Sequence, residues 1–85
     1  MCRSIKTLYN FDPPATDDEI RGASLQFVRK VSGFARPSRV NESAFNHAVE
    51  DIAVTVRTLL YSLSTAAEPR NREIEAARAG ARATR

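Results

Sequence analysis

At 85 residues, 42% apolar and 27% charged, the chain is sized for a single domain and balanced for a folded one, which excludes wholesale disorder. The formal net charge is only +3, and the excess sits at the ends: residues 16–64 set six cations against six carboxylates, whereas residues 65–85 carry five arginines against three glutamates. So small and dispersed a surplus does not make the concentrated basic face by which a nucleic-acid binder is recognised.

No apolar run approaches the roughly 18–20 residues a membrane-spanning helix requires. The single cysteine, Cys2, cannot close an internal disulfide, and no basic-then-apolar leader opens the chain. A soluble cytoplasmic protein with no membrane partner is therefore expected.

The first segment, "RSIKTLYNF" at residues 3–11, fits two periods. Ile5, Leu8 and Tyr9 share a helical face, while Ile5, Thr7, Tyr9 and Phe11 alternate like a strand. A short helix is the choice here, because no convincing second strand follows and a lone strand leaves its backbone unpaired.

Pro13 and Pro14 then bias the residues before them away from helix. Thr16 stands at an N-cap position, and Glu19, three residues later, completes a capping box. Asp17, Asp18 and Glu19 complement the positive end of the helix dipole. The helix so launched should run over about 17–32, presenting Ile20, Ala23, Phe27 and Val31 on one stripe, with Ser24 and Val28 beside it. Gly33 supplies the left-handed stop, with Phe34 placed to fold back in a Schellman-type cap.

"GFARPSRVN" reads as a connector ending in Asn41, a good N-cap. The segment 42–63 is the strongest helical signal: Phe45, Val49, Ile52, Val56, Leu59 and Leu63 recur every three or four residues. The same spacing suits a coiled-coil seam, but its flanks carry no charges to choose a partner helix and its stripe is broad. That favours a monomer with this helix at the centre of its own bundle, and leaves a homodimer as the alternative. Beyond it, Pro69 marks a start for a peripheral helix over about 70–79, with Ile74 its only large apolar residue. Residues 1–79 are thus read as one helical domain and residues 80–85 as a frayed basic tail.

The chemistry-bearing residues are few. His47 lies opposite Phe45, Val49 and Ile52 and should face water, with no second ligand or base at usable spacing. Cys2, with Arg3 and Lys6 nearby to favour its thiolate, keeps open an alternative of thiol or metal chemistry, although no resolving cysteine or ligand cluster accompanies it. No phosphate loop, nucleophile elbow or zinc spacing occurs. The reading is therefore not an enzyme, with no cofactor and no metal site. Basic residues group along the first long helix and its connector: Arg21, Arg29, Lys30, Arg36 and Arg39. If these share a surface, it suits an acidic protein or phosphates. A connector of this length is about twice the three- or four-residue turn of a DNA-reading helix-turn-helix.

Two resemblances follow. The stretch "MCRSIKTLYNFDPPATDDEIRGASLQFVRKVSGFARPS" resembles the opening of a family of short bacterial proteins, domain of unknown function 2277, through its Met-Cys-Arg start, "PPAT" and "FVRK". That family implies no established activity. Over about residues 5–63, "LYNFDPPATDDEIRGA", a basic helix, a proline-containing connector and "FNHAVEDI" are similar to a J domain, the helical module of DnaJ-type chaperone partners. J domains carry His-Pro-Asp in the connector, where this chain has Ala35, Arg36, Pro37 and Ser38. What the resemblance implies is a docking face for an acidic partner on the basic helix, at Arg21, Arg29 and Lys30.

The expectation is an all-α fold: a small J-domain-like bundle built on an antiparallel two-helix hairpin, with short N-terminal and peripheral C-terminal helices. Its expected core is Ile5, Leu8, Ile20, Phe27, Val31, Phe45, Val49, Ile52, Val56 and Leu59. Its expected function is a non-enzymatic binding module meeting an acidic protein through Arg21, Arg29, Lys30, Arg36 and Arg39. The alternative is weak nucleic-acid binding by that helix together with Arg78, Arg82 and Arg85.

Overall fold

The computed structural model describes residues 5–83, with side chains through residue 77. Elements run in the order β1 (Phe11–Asp12), α1 (Asp17–Ser32), a 3-10 turn (Arg39–Asn41), α2 (Glu42–Ser62), β2 (Arg70–Asn71) and α3 (Arg72–Ala83). Helix dominates, and α1 and α2 form the antiparallel hairpin at its centre.

The start of α1 follows from its sequence. Thr16 is extended and accepts a hydrogen bond from the Glu19 amide (3.2 Å), while Glu19 accepts one from the Thr16 amide (2.9 Å). Orphan donors at the helix start are thereby satisfied reciprocally. At the other end Gly33 takes φ 79° and donates its N–H to the Arg29 carbonyl (2.9 Å), a conformation that only a residue without Cβ adopts at no steric cost. Phe34 does not fold back as expected. Its amide goes to Ser32 Oγ (3.2 Å) and its ring stays exposed.

The hairpin core is narrower than the sequence stripe. Ile20, Ser24 and Val28 of α1 are buried with Phe45, Val49 and Ala53 of α2. Ile52 and Val56 are half-buried, as are Ile5 and Leu8 outside the hairpin, but Phe27, Val31 and Leu59 are exposed. The buried row of α1 runs through Ile20, Ser24 and Val28, beside the expected stripe of Ile20, Phe27 and Val31. Burying Ser24 leaves nothing unpaired, since its hydroxyl donates to the Ile20 carbonyl (2.8 Å). Two ion pairs, Arg21 with Glu50 and Arg57 with Asp17, bridge the hairpin along one flank.

The expected N-terminal helix is absent among the described residues. Residues 5–8 are irregular and Phe11–Asp12 forms a strand. The missing second strand proves to be Arg70–Asn71, parallel to the first with Phe11 opposite Arg70 and Asp12 opposite Asn71. The all-α expectation thus holds for the body of the molecule and fails at this two-residue ladder. Asn10 makes the junction. It takes φ 63°, in the left-handed region asparagine tolerates. Its Nδ2 donates toward the carbonyls of Ala67 (3.4 Å) and Glu68 (3.2 Å), and its own carbonyl accepts from the Arg70 amide (2.8 Å). The Arg70 guanidinium lies 5.7 Å from the Phe11 ring centre. The cap of α3 is Asn71, whose Oδ1 accepts from the Ile74 amide (3.0 Å), so the helix begins three residues after Pro69 and continues through Ala83, past the expected end at 79.

Candidate functional site

Residues 20–41 contain five cations and no carboxylate. The fold gathers the C-terminal part of that segment into the tip of the hairpin, where α1 ends, the connector turns and α2 begins. The tip is shaped by local hydrogen bonds. Arg29 Nε donates to the Ala35 carbonyl (3.0 Å), fastening the connector back onto α1. The Asn41 amide donates to the Ser38 carbonyl (2.9 Å) and Asn41 Nδ2 to Ser38 Oγ (2.8 Å), closing the 3-10 turn. Asn41 therefore braces the turn and does not cap α2 as expected; it makes no side-chain cap bond there.

The five expected binding residues divide. Arg29 is half-buried, one of its donors committed to the Ala35 carbonyl, which places it beside Arg36. Lys30, Arg36 and Arg39 are exposed around the tip, and among the described residues no carboxylate is ion-paired with any of them. Arg21 stands apart. It lies nine residues before Lys30, about half a turn around the helix at about 100° per residue, and pairs with Glu50 on the hairpin flank. Its charge is answered within the molecule.

Residue spacing did not reveal that apolar side chains share this tip. Val40 is 88% exposed, Val31 70% and Phe34 42%. Val31 and Phe34 read as the last core residue and the folded-back cap; only the folded structure shows that both stand exposed. Uncompensated cations among exposed valines and a phenylalanine can recognise an acidic surface that also offers apolar groups.

At the opposite end of the hairpin, Leu8, Tyr9, Phe11, Leu60 and Tyr61 line an open cleft of about 260 Å³ beside Arg57. A second hollow, about 670 Å³, lies between residues 5–8 and α3, with Glu19 and Arg72 in its wall. These two side chains are ion-paired. The Thr16 amide bond above all holds the Glu19 carboxyl below its ordinary value of 4.5; burial opposes it, and the charge and hydrogen bond of Arg72 add to the lowering. Among the described residues no three His, Cys, Asp or Glu side chains are grouped to hold a metal, and no helix is long and apolar enough to cross a membrane. His47 is exposed on α2. Cys2 lies outside the described residues, as do the side chains of Arg78, Arg82 and Arg85.

A family model described as "Uncharacterized conserved protein (DUF2277)" matches residues 1–78. The chain belongs to this family. The DUF2277 match spans the whole hairpin, its tip and the Phe11–Arg70 ladder, in agreement with the resemblance of the opening residues. No curated protein and no solved structure matches the chain.

Proposed function

We propose that this DUF2277 chain is a non-enzymatic binding module of the cytoplasm that docks an acidic segment of a partner protein on the tip of its helical hairpin. The observation that carries the reading is the absence of any carboxylate from residues 20–41, combined with the exposure of Val31, Phe34 and Val40 beside Lys30, Arg36 and Arg39. The cations steer an acidic partner to the tip, and the apolar side chains supply contact area once water is displaced. Exposed aliphatic groups favour a protein over a phosphate backbone, which offers them nothing to pack against. The J-domain resemblance points the same way, with one change: the docking residues move from the middle of the basic helix to its end, because Arg21 is engaged by Glu50.

Capture from extract of its own cells, using wild-type and Arg36→Glu/Arg39→Glu proteins as bait, tests the proposal. The expected result is an acidic protein held by wild type, lost from the variant by roughly tenfold or more, and released as salt rises. Identical bound proteins on both baits, or recovery of RNA or DNA alone, would overturn it.

A further inference from the structure

We propose that the hollow between residues 5–8 and α3 is a binding site for a small monocarboxylate with an apolar body. At about 670 Å³ it falls within the roughly 300–1,000 Å³ of a small-molecule site. Its lining is divided by chemistry. Ile5, Leu8, Phe11 and Ala15 are apolar and half-buried, whereas Lys6 and Arg70 are exposed at its edge. The two cations come from separate segments, Lys6 from the N-terminal stretch and Arg70 from β2.

Charge decides the sign of the ligand. Lys6, Arg70 and Arg72 line the hollow together with Glu19 and Glu75, which leaves one positive charge over. The carboxylates are already engaged: Glu19 accepts from the Thr16 amide (2.9 Å) and pairs with Arg72, and Glu75 also has a partner. Among the described residues no carboxylate is ion-paired with Lys6 or Arg70. Arg70 is nevertheless held in place. Its amide donates to the Asn10 carbonyl (2.8 Å), the ladder sets it opposite Phe11, and its guanidinium lies over the Phe11 ring, 5.7 Å from the centre. Such a contact is attractive within about 6 Å. A guanidinium so fixed presents a planar fork to a carboxylate, and the Lys6 ammonium adds a second charge. The body of the ligand then displaces water from Ile5, Leu8 and Ala15. A bare inorganic anion can use the cations but not these side chains, and an uncharged apolar molecule does the reverse. The smaller cleft, which shares Leu8 and Phe11, lacks the combination, because its cation Arg57 is taken by Asp17. The hollow shares no residue with the hairpin tip, so the inference is independent of docking there.

Nuclear magnetic resonance titration of the nitrogen-labelled full chain tests it, with phenylacetate and octanoate as the acids and phenylacetamide and inorganic phosphate as controls. At least one acid should bind with a dissociation constant of about 1 mM or tighter, shifting amides of residues 5–15 and 70–76. Phenylacetamide and phosphate should each bind about tenfold more weakly or not at all, since each lacks one half of the recognised chemistry. Lys6→Met and Arg70→Met keep an apolar stem and remove the charge, so each should weaken the acid by about fivefold or more with helical circular dichroism retained. Lys6 is exposed, so its variant stays informative even where loss of Arg70 loosens β2. No binding of either acid up to about 10 mM overturns the inference. So do equal affinities for phenylacetate and its amide, shifts centred on Lys30, Arg36 and Arg39, or undiminished binding by both variants.

Discussion

Asn10 and Glu19 hold the ends of the chain to the hairpin. Asn10 supplies two donors to the segment entering β2 from a backbone conformation that an ordinary side chain resists. Asn10→Ala should cost about 1–3 kcal/mol, from the lost bonds together with the left-handed penalty. Hydrogen exchange should show the loss first in Arg70 and α3, while α1 and α2 keep their protection. Glu19 is coupled to pH. Its carboxyl titrates below 4.5 in the folded chain, so its contribution is complete above that pH and is lost as pH falls through the folded value. The melting temperatures of wild type and Glu19→Gln should therefore differ near neutrality and converge in acid. The role of Glu19 in the capping box was legible in the sequence, because a cap is local and needs only Thr16 three residues away. Its pairing with Arg72, 53 residues on, was not, nor was the Asn10 junction; no local pattern encodes a contact between distant loops.

Among the elements, α1 shows why periodicity found the helix but misplaced part of its face. Thr16 and Gly33 set its limits by backbone chemistry, and both are where the sequence puts them. Choosing the face by the largest side chains selected Phe27 and Val31, whereas the buried row runs through Ile20, Ser24 and Val28. Ile20→Ala should accordingly cost about 2–5 kcal/mol, as for a filled core position. Val31→Ala should change stability by no more than about 0.5 kcal/mol. Chemical denaturation of the two variants separates the faces directly. Gly33→Ala has open space for its Cβ yet should lose about 1 kcal/mol, because φ 79° is unfavourable for alanine. The first strand failed to show itself for a different reason: two residues paired across a gap of almost 60 make no pattern within either segment.

For the molecule as a whole, function rests on how charge and apolar surface are distributed over the hairpin. Residues 20–41 carry their cations in plain view of the sequence, and four of the five expected binding residues lie at the tip or on the last turn of α1 leading into it. Arg21 does not, and only the position of Glu50 across the seam reveals why. The valines and Phe34 that accompany the cations are recognised as surface only in the folded hairpin, where all three stand exposed. The most direct test is a photo-crosslinking residue placed in living cells at Ala35, on the tip, or at Val54, on the side of α2 facing away from α1. Adducts to an acidic protein from position 35, abolished by Arg36→Glu/Arg39→Glu and missing from position 54, are the predicted result. Adducts from position 54 with none from position 35 would contradict the assignment of the tip as the docking surface.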